Sequence, residues 1–352
     1  MVVATVPSRS DAPSLLRKLN GNICARWRQR IRALLGTMLA IMMLVSGGES
    51  RLALRPVHAQ SPQKSPVVPL GVTEIAPGVF VHQGAYAIFA PSNRGDVANL
   101  SFVIGRDAVA VIDTGGSAAI GRALRAAIRA VTDKPIRYVI NTHMHPDHVF
   151  GNAAFADDQP EFIGHHKLAR ALAARAERFL AVNAQLLGPE AFAGTRLIAP
   201  TRAVHERSVI DLGARELILE AQPTAHTDND LTIHDTATGT LFLGDLLFVR
   251  HVPALDGSIR GWLTLIGRLE QVAAKRAVPG HGPPAAAWPE AIRPQKQYLQ
   301  RISADVRRMI KEGRSIAEAA ATVGLSERDA WVLFDEFNAR NVTAAFAELE
   351  WE

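Results

Sequence analysis

The sequence predicts an α/β fold in which two β-sheets face each other and helices cover their outer sides. Three observations carry this expectation. Strand-like and helix-like runs alternate from about residue 72 onward, the second half repeats the plan of the first, and apolar strand patterns end in short loops bearing His or Asp. Two similar halves, each with strands and flanking helices, bury their apolar faces by stacking sheet on sheet.

Residues 60–71 are rich in Pro, Ser and Gln and read as a flexible linker. Residues 79–82, 99–104 and 109–113 alternate or run apolar as strands do, with Gly105-Arg106-Asp107 as the turn between the last two. A helix is expected over 117–131, after Gly115-Gly116, with Ser117 as its cap. Residues 135–141 form the next strand. Residues 166–187, rich in Ala and Arg, read as a helix started by His165 and His166 and ended at Leu187-Gly188-Pro189. Strands follow near 209–212, 215–220, 231–235 and 240–243, then a helix over 259–275 and a strand ending at His281. Residues 292–346 read as three helices broken at Gly313-Arg314 and Gly324-Leu325. Their aromatics Trp331, Phe334, Phe337 and Phe346 recur at helical spacing, so these helices should pad the sandwich.

The chemistry concentrates in Thr142-His143-Met144-His145-Pro146-Asp147-His148. Two histidines two residues apart on an extended segment project to one side and can grip one ion. Pro146 then opens a helical turn, which swings Asp147 and His148 toward a neighbouring position. One loop can thus serve two metals. Four ligands cannot close two coordination spheres, and later strand ends supply His226, Asp245 and His281, the last between glycines that permit a tight turn. The two oxygens of Asp245 could bridge a pair of cations. Asp113, ending an apolar strand, is assigned to fixing the tautomer of a ligating imidazole; its competing reading is a turn cap before Gly115-Gly116. Arg250 and His251 lie just beyond Asp245 and are candidates for an anionic substrate group. His82 and His234 in strands and His205 in a loop read as core or surface residues, and His165 and His166 as surface residues.

Of the 39 Lys and Arg residues, nine fall in residues 1–59, against two of the 34 Asp and Glu. The formal charge of +5 is therefore a property of the leader, and the remainder is slightly acidic. That lacks the basic footprint of a nucleic-acid hydrolase, so no nucleic-acid partner is expected. Residues 1–59 have the parts of an export signal: a basic stretch through Arg32, an apolar run over 33–45, and a polar stretch ending Val57-His58-Ala59. The apolar run is shorter than the roughly 20 residues that span a bilayer, which favours a cleaved, periplasmic product over an uncleaved anchor. Cys24, the sole cysteine, lies in the leader, so the exported product would carry no thiol.

The ordered ligand set resembles that of the metallo-β-lactamase superfamily, whose signature is an H-x-H-x-D-H loop followed by separate His, Asp and His ligands. The resemblance covers roughly residues 72–281 and implies a four-layer αββα sandwich over 72–288, with 289–352 as a C-terminal helical extension. It implies that His143, His145 and His226 hold one metal, that Asp147, His148 and His281 hold the second, and that Asp245 bridges them. Phrases such as His226-Thr-Asp-Asn-Asp-Leu231 and Gly244-Asp-Leu-Leu-Phe-Val-Arg250 are most similar to the SoxH-like branch, the quinoprotein relay system zinc metallohydrolases. The implied activity is exported hydrolysis of a small ester, lactone, thioester or related compound by a hydroxide held on two Zn²⁺, with Asp147 also handling a proton and a possible association with a quinoprotein dehydrogenase pathway. Two departures narrow it. No cysteine stands at Asp245, as it does in Cys-containing lactamases, and no Gly-Cys-Gly-Arg follows it, as in glutathione thioesterases and persulfide dioxygenases. The competing readings are a dioxygenase with one Fe²⁺ on the same scaffold and a non-catalytic periplasmic accessory protein that binds a cofactor or metal.

Overall fold

A computed structural model of the chain describes residues 67–352. The expected leader over 1–59, with Cys24 and His58, and the linker as far as residue 66 lie outside the described residues. The first sheet takes its strands in simple chain order: β1 (Thr73–Ala76), β2 (Val79–His82), β3 (Leu100–Ile104), β4 (Val109–Ile112), β5 (Ile136–Ile140), β6 (Glu161–His165) and β7 (Arg202–Val204). Its first four strands are antiparallel neighbours; from β4 onward the pairing is parallel. The crossover from β4 to β5 is helix α1 (Ala118–Val131), capped by Ser117, whose hydroxyl accepts the Ile120 N–H. A one-turn helix α2 (Pro146–Val149) follows β5, and α3 (Leu168–Phe192) joins β6 to β7.

The second sheet contains β8 (Arg207–Asp211), β9 (Glu216–Ala221), β10 (Leu231–Asp235), β11 (Thr240–Phe248), β12 (Arg276–His281) and β13 (Ala286–Ala287), in the order 13-12-11-10-9-8. Helix α4 (Ile259–Leu269) connects the parallel pair β11 and β12. Helices α5 (Arg293–Lys311), α6 (Ile316–Thr322) and α7 (Phe334–Leu349) complete the chain. Among the described residues no helix is long and apolar enough to cross a membrane.

Side-chain alternation along the strands makes the layers. On β4, Ala110 and Ile112 point into a core shared with Leu217, Leu219 and Ile233 of the second sheet, while Val109 and Val111 point outward against Leu124 and Ile128 of α1. On β11, Phe242 faces the shared core, whereas Leu241 and Leu243 face Trp262 and Leu265 of α4 and the C-terminal helices. The result is helix, sheet, sheet, helix, with α5 and α7 in the outer core of the second sheet, as the aromatic spacing predicts. Trp331, Phe334 and Phe346 are buried there; Phe337 is half-buried.

Several boundaries differ from expectation. His165 closes strand β6 and is buried, so it does not start a helix on the surface. Helix α3 passes through Gly188, which breaks the helical geometry at φ 75° and ψ 166° before Pro189 restarts a last turn. Helix α4 stops at Leu269, although Val272 and Ala274 beyond it still pack against the same core; the Lys275 amide then bonds to Gly239 O and feeds β12. Strand β11 runs on to Phe248, carrying Asp245 within it.

Candidate metal centre

All the sequence-selected candidate ligands lie at one end of the sandwich, on the segments that leave β5 and β9, within β11 and at the end of β12. Asp113, just past β4 and at φ 58°, fixes the first of these loops: its carboxylate accepts the Thr142 N–H at 2.8 Å and the Thr142 hydroxyl at 2.7 Å. Asn141 and Asn152 brace the same loop through reciprocal amide contacts of 2.8 and 3.1 Å. The loop is tied to the second half where the Leu231 N–H donates to Thr142 O at 2.8 Å. Gly244, at φ 50°, permits the irregular register of β11 against β12 that aims Asp245 at the loop. A Cβ on Gly244 would lie 2.6 Å from the Thr142 hydroxyl, and one on Gly280 would collide with the Asp245 carboxylate.

Seven side chains fall into two groups, His143, His145, His226 and Asp245, and Asp147, His148 and His281; within each, the candidate ligand atoms lie within 4.8 Å of one another. In the first, His145 Nδ1 lies 3.0 Å from both His143 Nε2 and His226 Nε2. Asp245 Oδ2 stands 3.4 Å from His226 Nε2 and 3.7 Å from His143 Nε2. In the second, Asp147 Oδ2 lies 3.3 Å from His281 Nε2 and 3.6 Å from His148 Nε2. Asp245 offers its other oxygen there, with Oδ1 3.2 Å from His148 Nε2 and 3.4 Å from His281 Nε2. Asp245 thus faces both groups, one oxygen to each.

The protons show what this arrangement fits. His226 donates from Nδ1 to Ala254 O at 2.6 Å, His281 from Nδ1 to Val97 O at 2.9 Å, and His148 from Nδ1 to Asp113 Oδ2 at 2.8 Å. The Thr142 hydroxyl spends its proton on Asp113, so its oxygen accepts from His143 Nδ1 at 3.0 Å. His145 turns the other way and donates from Nε2 to Asp256 Oδ2 at 3.0 Å. Every ring therefore has an acceptor at its outer nitrogen and directs its inner nitrogen at the cluster, the tautomer a metal ligand needs. Inner nitrogens 3.0–3.3 Å apart with no proton between them repel. His148 Nε2 and Asp245 Oδ1 are buried and make no hydrogen bond at all. A cation removes both penalties, so the residues fit divalent metal.

Charge among the protein groups alone divides the two sets. Burial, reinforced by His148, pushes His143 well below the ordinary imidazole value despite Asp245; burial likewise brings His226 down to about 4. Burial also opposes charge on His148 and His281, yet the carboxylates of Asp245 and Asp147 outweigh it, holding His148 well above its ordinary value and His281 at about 9. Burial would raise Asp147, but His148 and His281 hold it at about 2.

The cluster forms the floor of a cavity of about 770 Å³. His251 lines it: its Nδ1 donates to Val252 O at 2.6 Å, its ring is 4.9 Å from that of His281, and burial lowers it to about 4. Arg250 is not among the lining residues; its guanidinium lies 5.5 Å over the ring of Tyr86. The arginines that do line the cavity are Arg175 and Arg178 from α3 and Arg340 from α7. Asp256, whose role the sequence did not suggest, joins His145 to Arg175, which donates to it at 2.5 Å. Its only sequence signal is its place on the loop after Asp245.

Solved structures share this arrangement of layers. A metallo-beta-lactamase from Pontibacter korlensis superposes with a TM-score of 0.54 at 20% identity, covering 66% of this chain and 99% of that one. The inverting sec-alkylsulfatase Pisa1 from Pseudomonas sp. superposes with a TM-score of 0.61 at 16% identity, covering 80% of this chain and 50% of its own. By sequence, a linear primary-alkylsulfatase of Pseudomonas sp. (strain ATCC 19151) is 41% identical over 49 residues. That stretch is 14% of this chain, and the chain spans only 9% of the alkylsulfatase. The family profile described as the metallo-beta-lactamase superfamily matches residues 94–281, more than half of the chain and including all seven clustered side chains. Fold, ligand order and this match together place the chain in the metallo-beta-lactamase superfamily.

Proposed function

We propose that the protein is a metal-dependent hydrolase that holds two zinc ions, one on His143, His145 and His226, one on Asp147, His148 and His281, with Asp245 between them. The observation that carries this reading is the set of five imidazoles whose outer nitrogens all meet acceptors. Divalent metal there supplies a Lewis acid and brings the pKa of water toward about 7. The chain's own groups do the rest. Asp147 lines the cavity and is 16% exposed, against 4% for Asp245, so it is the carboxylate placed to accept a proton from the substrate side. Phe248 and Leu255 on the cavity wall exclude water from the centre. No side chain need act as nucleophile.

Small esters, lactones and thioesters remain the leading substrates, and the likeness to alkylsulfatases supports adding sulfate esters. Export and a link to quinoprotein-dependent oxidation rest on the sequence features alone. The test is elemental analysis of the purified protein followed by a screen of these four classes. Two zinc ions per chain and turnover of one class are expected; a single iron, with oxygen consumed, would replace the hydrolase with a dioxygenase. Asp147→Asn should lose turnover more than metal, and a parallel loss of both removes the proton role.

A further inference from the structure

We propose that Arg178 and Arg340 hold an anionic group of the substrate at the cavity mouth, away from the bond that reacts. The substrate is then an ester-type compound with a second, negatively charged group carried on an apolar chain. This deepens the hydrolase reading and rests on it for the reacting end only.

The charges lining the cavity are arranged in pairs except at its mouth. Asp147 and Asp245 face the histidine cluster. Arg175 is committed to Asp256, which in turn holds His145, so its charge is already answered. Arg178 and Arg340 are exposed and, among the described residues, have no carboxylate partner, although they come from α3 and α7 and line one cavity. A guanidinium offers paired N–H donors matched to a carboxylate, sulfonate or phosphate, and these two are brought to one cavity by separate helices with no carboxylate of the described residues bound to them.

Arg340 is also positioned relative to the metal centre. Its guanidinium lies 5.8 Å over the Phe337 ring; that ring is 5.2 Å from His251, which is 4.9 Å from His281. A continuous wall of rings thus leads from the anion site to the cluster. The facing walls are apolar: Ile88, Phe89, Phe179 and Leu186 line the same space. Ile88 and Leu186 leave 51% and 45% of their surface in water, a cost that an aliphatic chain lying across them would remove. Charge at the rim, apolar walls and metal ligands at the floor match a molecule with an anionic end, a hydrocarbon middle and a reactive carbonyl or sulfate ester at the far end.

The test compares adipic acid monoanilide with hexananilide, unreactive amides that share a six-carbon acyl chain and differ in the terminal carboxylate. Calorimetric titration of the metal-loaded protein should show the monoanilide binding at least about tenfold more tightly. In the Arg178→Gln/Arg340→Gln double variant, whose folding circular dichroism would verify, the ratio of the two affinities should fall to near one. Equal binding by the unaltered protein overturns the proposal, as does an advantage that survives in the double variant, because the carboxylate would then be seated on the metal centre. Monophenyl adipate and phenyl hexanoate separate the two readings. If neither is hydrolysed but the amide ratio behaves as expected, the anion site stands and ester hydrolysis falls; if both are hydrolysed equally by the unaltered and double-variant proteins, the anion site falls.

Discussion

Replacing Asp113 with Asn tests whether the carboxylate controls a ligand or merely caps a turn. Asp113 is 2% exposed and accepts three hydrogen bonds: the Thr142 N–H on one oxygen, and the Thr142 hydroxyl and His148 Nδ1–H on the other. None of its side-chain hydrogen bonds goes to the Gly115-Gly116 turn, which is where a turn cap would bond. Asn fits the same volume and tolerates the left-handed φ of 58°. It nevertheless has one acceptor oxygen where Asp has two. Facing His148 with that oxygen sets the amide NH₂ against the Thr142 N–H; facing it the other way sets NH₂ against His148 Nδ1 and drives the ring proton to Nε2, into the cluster. The first choice leaves a buried donor unpaired, at about 1–3 kcal/mol. The second removes a ligand, and loss of such a supporting contact weakens metal binding by roughly 10–100-fold, about 1.4–2.8 kcal/mol. Competition with a chelator of known affinity reads this directly, and thermal melting of the metal-free protein separates it from folding. An Asp113→Asn protein with unchanged metal affinity and stoichiometry would refute the assignment, even if its melting temperature fell.

Other consequences are structural. Gly244→Ala should reduce the metal bound per chain, because its new Cβ meets the Thr142 side chain at a position with φ 50°; full metal content by elemental analysis would contradict this. Trp262→Ala removes a fully buried ring that packs 5.5 Å from His226, and should cost about 3–5 kcal/mol in urea unfolding; a loss below about 1 kcal/mol would show that the outer core closes over the gap. Burial would raise the Asp158 carboxyl, but Arg125 and Arg129 bond to it and hold it below its ordinary value of 3.8. A carboxyl lowered in the folded state stabilises above its unfolded pKa, and that contribution is lost as pH falls through the folded one. The melting temperature of Asp158→Asn should therefore fall less steeply with acid below pH 3.8 than that of the unaltered protein, and parallel curves would contradict the linkage.

What was legible in the sequence was local. The His143 to His148 spacing, with Pro146 turning the chain, was enough to place side chains in both clusters, because both draw on one short segment whose geometry its own residues set. Strands β4, β10 and β12 were visible as apolar runs for the same reason. Strand β6 was not: Phe162 and Ile163 make too short an apolar run, and its strand geometry comes from parallel pairing with β5 and β7. His165 was misread with it, as the start of the helix that opens only at Leu168. Arg178 and Arg340 stood on helices whose faces could not be assigned until α3 and α7 were seen to share a cavity.

The acceptors that set the imidazole tautomers divide along the same line. Asp113 is readable because it ends an apolar strand, whereas Val97 O and Ala254 O are backbone atoms that no side-chain pattern announces. The second group is governed by Asp113 and Val97, both from the first half of the chain. Two rings of the first group depend instead on residues 254 and 256, through Ala254 O on His226 and Asp256 on His145. Asn341 of α7 fixes this loop, accepting the Leu255 N–H at 2.9 Å and donating to Pro253 O at 2.6 Å, while the Val252 N–H donates to Val332 O. The helices beyond residue 281 thus do more than cover the second sheet. They hold the loop whose acceptors orient His145 and His226, so two of the clustered imidazoles are aimed through contacts from chain that lies outside the family match.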